Sequence, residues 1–213
     1  MTEQFDKYEK RGAYHWAWYR RNTMGYRDLV TATLSYLPRQ GRILDVGCGD
    51  GLVTYLLFRR GLRAQGVDPN ERGVQLGRRA IVRRYQRAHV LQALAWGLTG
   101  KDAVAEVARR GCALTVGTVD DLPADERFDY GLCHDVIEHV PNPEALVAGL
   151  MARVTQFALF TSPNGLHRKP REYDYQFWTP ESFPGLFGGR RVDLIEVTED
   201  RLVAKVHAPS ANR

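Results

Sequence analysis

Ile43-Leu44-Asp45-Val46-Gly47-Cys48-Gly49-Asp50-Gly51 decides the fold of this chain. Ile43, Leu44 and Val46 have the apolar content of a short buried strand, and three glycines at every second position then mark a tight turn. Leu52-Val53-Thr54-Tyr55-Leu56-Leu57-Phe58 continues as a packed helix. The unit is therefore strand, glycine turn, helix. Glycine suits such a turn because the backbone must reverse sharply and approach a ligand with no Cβ in the way. In an open α/β sheet the turn sits at the carboxyl end of the first strand, where ligands bind.

The spacing narrows the ligand. A dinucleotide site prefers G-x-G-x-x-G. Here the pattern is G-x-G-x-G, with Asp45 two residues before its first glycine. A carboxylate is a poor neighbour for a pyrophosphate and a good one for a cation. A second strand, with Ala64 and Val67 apolar after Gly61, ends at Gly66-Val67-Asp68. An acid at the end of that strand is the usual partner of a ribose diol. The two features together suggest an adenosine ligand with a positive, phosphate-free tail.

Ile43 to Gly51 resembles the first motif of class I S-adenosylmethionine-dependent methyltransferases, and Gly66-Val67-Asp68-Pro69 resembles the second. Gly117-Thr118-Val119-Asp120-Asp121-Leu122-Pro123 is similar to the third. Phe128-Asp129-Tyr130-Gly131-Leu132-Cys133 followed by Val136-Ile137-Glu138-His139-Val140 is similar to the fourth. The motifs stand in the family's order between Tyr36 and Asn164. The resemblance implies an α/β fold: a doubly wound, seven-stranded, mostly parallel, Rossmann-like sheet with an antiparallel C-terminal hairpin. It implies S-adenosyl-L-methionine as cofactor, with Asp45, Gly47, Gly49 and Gly51 at its amino-acid end and Asp68 and Pro69 at its ribose. Thr118, Val119 and Asp120 then fall at the adenine, and the backbone of His134 at the methionine tail. The family often carries an acid where Thr118 stands; threonine accepts the adenine amino group more weakly, and Asp120 is the acid nearest to that role.

At 213 residues, 44% hydrophobic and 26% charged, the chain reads as an ordinary globular protein with enough volume for a sizeable core. The reading divides it into an N-terminal aromatic and helical lid segment, residues 1–38, and a cofactor-binding domain, residues 39–213. No apolar run approaches membrane-spanning length, and Met1 to Lys7 has no signal-peptide core. Cys48, Cys112 and Cys133 lie in or beside expected strands and read as small buried residues in a reducing cytoplasm. No C-x-x-C pair occurs, so no structural zinc is expected. The net charge of +5 is compatible with an anionic small-molecule substrate or with nucleic acid, and demands neither.

Between Phe5 and Tyr19 the chain carries Tyr8, Tyr14, His15, Trp16, Trp18 and Tyr19. These pin the extension to the sheet or form a lid over the methyl-donor pocket, with Tyr14 and His15 as its contacts. A helix with Tyr26, Leu29, Val30, Thr33, Leu34 and Leu37 on one face runs on to Pro38. About 45 residues separate Asp68 from the strand Ala113-Leu114-Thr115-Val116, more than a crossover needs. The excess, about 81–110, predicts two additional helices near Ala88–Leu98 and Lys101–Arg110. Arg72, Arg78, Arg79, Arg83, Arg84 and Arg87 precede or open it, and Arg79, Arg83 and Arg87 share one helix face. That row is a solvated face or a site for phosphate on a substrate or carrier.

The fourth strand leads into His134-Asp135-Val136-Ile137-Glu138-His139. Asp135 and Glu138 form a capping-box pattern. Alternatively, Asp135 lies four residues before His139 on one helix face and orients it as a neutral general base, with His134 and His15 as further catalytic candidates. After the strand Phe157–Thr161, Ser162-Pro163-Asn164 opens a polar and aromatic loop. Asn164, His167, Arg168, Tyr173 and Tyr175 are its expected substrate contacts. Thr179-Pro180-Glu181 predicts a short helix, and Val192–Val197 with Leu202–His207 predicts the closing hairpin. The expected reaction is methylation of an oxygen or nitrogen of a small polar molecule: a sugar, nucleotide or secondary metabolite. One alternative is an RNA 3′-terminal 2′-O-methyltransferase, a family whose acids and histidines bind a divalent metal. Its further histidine is replaced here by Tyr175. Another is a non-catalytic, cofactor-binding partner subunit.

Overall fold

In the computed structural model of this chain, residues 7–88, 100–167 and 174–209 are described. Seven strands form a mixed sheet: β1 (Arg42–Val46), β2 (Arg63–Asp68), β3 (Cys112–Val116), β4 (Phe128–His134), β5 (Val154–Pro163), β6 (Val192–Val197) and β7 (Arg201–His207). Their order is β3-β2-β1-β4-β5-β7-β6. Pairing is parallel for β2 with β3, β1 with β4 and β4 with β5, and antiparallel for β5 with β7 and β6 with β7. The sheet is doubly wound and mostly parallel with an antiparallel C-terminal pair, as the motifs imply. Among the described residues no helix is long and apolar enough to cross a membrane.

The chain divides into two compact units. The first comprises Met1–Gln40 and Cys48–Gly117, the second Gly41–Gly47 and Thr118–Arg213. Among the described residues the first unit holds β2, β3 and the helices α1 (Lys7–Arg11), α2 (Tyr14–Arg21), α3 (Tyr26–Ser35), α4 (Leu52–Arg59), α5 (Glu71–Ala88) and α6 (Gly100–Arg109). In α5, Val74, Ile81 and Tyr85 recur at helical spacing and are buried, while Arg72, Arg79, Arg83 and Arg87 face water. Gly77 lies on the buried face, where a Cβ would stand 2.6 Å from the carbonyl oxygen of Asp50. The absence of a side chain there is what lets α5 close on the glycine turn. The helix expected at Ala88–Leu98 lies outside the described residues apart from its first position, where α5 ends. The second expected insertion helix is α6, with Ala103 and Val107 buried.

The second unit is built on β1, β4, β5, β7 and β6, with α7 (Pro143–Met151). Asn142 caps α7 by accepting the Ala145 N–H at 3.0 Å, and Pro143 opens it. Leu44, Leu132, Leu159 and Phe160 are fully buried. β7 is buried on both faces from Leu202 to Ala204 rather than alternating. One of those faces lies beside a 3-10 turn, Phe183–Phe187, whose Phe187 ring packs 5.1 Å from that of Phe160, the β5 partner of Ala204.

Two local expectations are corrected. No helix begins at Thr179: Thr179 and Ser182 bond to each other in a turn, and the 3-10 segment starts one residue later. The segment after β4 is not an α-helix either. Asp135 takes a left-handed backbone (φ 53°), and only the 3-10 turn Ile137–His139 follows.

Candidate functional site

Each unit carries its own set of candidate side chains. In the first, the glycine turn is tied to β2. Cys48 donates its N–H to the Val67 carbonyl at 3.2 Å, and Gly49 donates to Asp68 Oδ2 at 2.8 Å. Asn70 donates to the other Asp68 oxygen at 2.7 Å. Both carboxylate oxygens are thus fixed, each with lone-pair capacity left for a hydroxyl. Burial pushes the Asp68 carboxyl up from its ordinary value, and the two backbone bonds counter it. Pro69 forms the corner between Asp68 and Asn70.

The N-terminal segment docks on the same turn. Asp50 is fully buried and accepts the His15 N–H at 3.0 Å, with His15 Nδ1 3.3 Å from its other oxygen. The Trp16 indole donates to the Asp50 carbonyl at 2.8 Å. Tyr8 covers Gly49, where a Cβ would run into its hydroxyl; Gly49 is left-handed (φ 53°), as only glycine takes readily. Tyr14 is buried among Tyr8, His15 and Trp18, with centroids at 5.4, 4.0 and 4.9 Å. Burial, then Asp50, holds the Tyr14 hydroxyl protonated well above its ordinary range. His15 and Tyr14 are thus placed at the glycine turn, His15 as a partner of Asp50.

In the second unit Asp45 is buried at the end of β1, and Gly47 (φ 74°) packs against the Val136 side chain. Thr118 donates both its N–H (2.7 Å) and its hydroxyl (2.9 Å) to Asp121 Oδ2. The hydroxyl proton is committed to Asp121, so the Thr118 oxygen faces any further partner as an acceptor. Asp121, not Asp120, is the acid engaged with Thr118; Asp120 is exposed, and Val119 is buried.

Asp135 does not orient His139. Its N–H donates to Thr161 Oγ1 at 2.9 Å, and that hydroxyl donates back to Asp135 Oδ1 at 2.5 Å. The left-handed residue and the 3-10 turn remove the shared helix face on which the expected pairing rested. His139 Nδ1 instead lies 3.1 Å from the buried carboxylate of Asp174, on the loop after β5, and its Nε2 is 3.9 Å from Glu138. The Glu138 carbonyl anchors that loop by accepting the Tyr175 N–H at 2.8 Å. His134 Nδ1 sits 3.2 Å from an Arg201 Nη and 3.2 Å from Thr161 Oγ1. A guanidinium only donates, so Nδ1 is an acceptor and the ring proton is on Nε2. His134 Nδ1 is therefore occupied as an acceptor.

The expected substrate contacts separate. Asn164 is buried: its amide donates to the Thr198 carbonyl at 2.8 Å and its Oδ1 accepts the Leu166 N–H at 3.1 Å, so it braces the hairpin. His167 and Tyr175 are exposed. Arg168 and Tyr173 lie outside the described residues. Sequence reading ranked neither Asp174 nor Arg201. The available signals were a carboxylate in a loop leaving the functional edge, and a cation opening an apolar strand. Among the described residues no group of three or more His, Cys, Asp or Glu is arranged to hold a metal.

A family profile described as methyltransferase domain matches residues 16–182. The chain belongs to the methyltransferase-domain family. Among curated relatives of this methyltransferase-domain chain, the ubiquinone biosynthesis O-methyltransferase of Alkalilimnicola ehrlichii is 34% identical over 147 residues, covering 68% of this chain and 49% of that protein. The enzyme of the same name from Pasteurella multocida is 26% identical over 157 residues, 68% of this chain and 57% of that protein. The chain thus spans about half the length of these relatives. In structure it is similar to magnesium protoporphyrin IX methyltransferase from Synechocystis PCC 6803, solved with bound SAM. That match has TM-score 0.63 and 15% identity, and covers 96% of this chain and 94% of that one. An S-adenosylmethionine dependent methyltransferase from Mesorhizobium loti matches with TM-score 0.61 and 14% identity, covering 83% and 96%. These two likenesses are of fold.

Proposed function

We propose that this methyltransferase-domain chain transfers the methyl group of S-adenosylmethionine to a hydroxyl oxygen of a small polar molecule. The family supports the donor, and the relatives named as O-methyltransferases support the acceptor atom. The observation that carries the reading is His139 held by Asp174 just beyond β4. A base fixed by a buried carboxylate is needed where the nucleophile is protonated at working pH, as a hydroxyl is.

The residues fit the donor. In the first unit Asp68 would offer two fixed oxygens to ribose hydroxyls; in the second, Thr118 would offer an acceptor to the adenine amino group and Asp45 a negative charge to the cationic end. When bound, S-adenosylmethionine supplies a methyl group with its own leaving group. The chain's task is placement, which can supply roughly 7–11 kcal/mol in favourable cases. His139 would take the proton of the acceptor hydroxyl as that oxygen becomes the nucleophile. Asp174 orients the ring and stabilises the imidazolium that results.

The test is transfer of labelled methyl into a metabolite extract by the purified chain, followed by kinetics on the labelled product. His139→Gln should lower kcat by about 10²–10⁴-fold with binding of S-adenosylhomocysteine unchanged. Asp174→Asn should lower kcat less, and Asp174→Glu should recover part of that loss. A His139→Gln variant that keeps the full rate would remove the base from the mechanism, and an extract that never takes up label would remove the activity.

A further inference from the structure

The first unit carries a cluster of arginines that methyl transfer leaves unexplained. Trp16 and Tyr55 are buried with ring centroids 5.3 Å apart. The Arg84 guanidinium lies 3.9 Å above the Trp16 ring. Arg20 stands one turn beyond Trp16 in α2, and Arg87 follows Arg84 in α5. Arg59 reaches from α4 to the Tyr55 hydroxyl at 3.4 Å. Arg20, Arg59 and Arg87 are exposed, and among the described residues none of the four forms an ion pair with a carboxylate. Burial disfavours the charge on Arg84; Tyr55 and Asp50 oppose that effect, and the charges of Arg87 and Arg20 add to it. Arg84 thus lies over Trp16 and Arg59 beside the Tyr55 hydroxyl, with Arg20 one turn beyond Trp16 and Arg87 one turn beyond Arg84 on their helices, an arrangement that an anion would relieve.

The chemistry of the patch selects the anion. Guanidinium forks match phosphate oxygens bidentately. A single-stranded nucleic acid would also need open aromatic faces for its bases. Trp16 and Tyr55 are 7% and 8% exposed, and Arg84 covers Trp16, so no such face is presented. The Trp16 indole is bonded to the Asp50 carbonyl, so the ring beneath Arg84 is tied to the glycine turn.

We propose that Arg20, Arg59, Arg84 and Arg87 bind the diphosphate group of a small-molecule methyl acceptor. This inference rests on the methyl-transfer reading and narrows its acceptor to a phosphorylated metabolite.

Calorimetry on the full chain decides it, with inorganic pyrophosphate as probe and S-adenosylhomocysteine titrated separately. Pyrophosphate should bind, and the surface triple variant Arg20→Gln/Arg59→Gln/Arg87→Gln should weaken it by more than about tenfold, since one charge-assisted hydrogen bond exceeds a tenfold step. S-adenosylhomocysteine affinity should not change in that variant. The single variant Arg87→Gln should show a smaller loss in the same direction. Absence of pyrophosphate binding, or equal binding by the triple variant, overturns the diphosphate site while S-adenosylhomocysteine binding keeps the methyltransferase reading. A single-stranded oligonucleotide or an anionic vesicle held more tightly than pyrophosphate also overturns it. Pyrophosphate binding by a chain that ignores S-adenosylhomocysteine overturns the link to a methyl acceptor.

Discussion

At the scale of single residues, one partner can change what a side chain is able to do. Thr118 looks like a weak stand-in for an acid when read alone. Bonded to Asp121, it becomes a hydroxyl whose proton is already spent. The Thr118 amide, first, and then its hydroxyl hold the Asp121 carboxyl below its ordinary value of 3.8. A carboxylate depressed in the folded state contributes stability that is fully present above its unfolded value and is lost as pH falls through the folded one. The window for Asp121 therefore lies in acid, below 3.8. Thr118→Val deletes the hydroxyl bond and keeps the larger amide bond. The Asp121 carboxyl, followed by NMR titration, should move partway back towards 3.8. An unmoved midpoint would mean that the hydroxyl proton is not given to Asp121, and the acceptor role assigned to Thr118 would go with it. The histidines carry the same lesson. His134 and His139 are five residues apart, yet Arg201 occupies a ring nitrogen of one, and Asp174 stands beside a ring nitrogen of the other.

At the scale of elements, the close fit of α5 on the glycine turn opposes two effects at Gly77. Alanine there gains about 1 kcal/mol of helix propensity. Its Cβ, however, would stand 2.6 Å from a backbone oxygen of Asp50 and 2.8 Å from Leu114. The backbone of a glycine-rich turn cannot give way as a flexible side chain can, and overpacking costs about 1–3 kcal/mol. Gly77→Ala should therefore lower the urea midpoint and weaken S-adenosylhomocysteine binding. A more stable variant with unchanged binding would show that α5 and the turn are not in tight contact. The sheet and α4 through α7 were legible because apolar period, glycine punctuation and motif order all point to the same elements. The segment after β4 was not. Its D-x-x-E pattern is a local helix signal, and a non-local hydroxyl, Thr161, holds Asp135 in the left-handed region instead. Arg201 meets His134 across 67 residues, a pairing that no window of sequence contains. The same holds for Asp174 and His139. What was hidden in the site is what depends on such long-range partners.

At the scale of the whole molecule, a ligand that binds only the folded chain must raise its melting temperature, whatever the acceptor turns out to be. At a hundred times its dissociation constant a ligand adds about 2.7 kcal/mol. For a chain of 213 residues each kcal/mol moves the midpoint by about 2–4 °C. S-adenosylhomocysteine at that excess should thus raise the melting temperature by roughly 5–11 °C. NAD should leave it unchanged, because Asp45 meets a sulfonium or ammonium favourably and a pyrophosphate unfavourably. Asp45→Asn sharpens the comparison: it removes the charge that discriminates between the two, so the rise with S-adenosylhomocysteine should shrink. A midpoint that rises with NAD and stays still with S-adenosylhomocysteine would mean that the glycine turn serves a dinucleotide.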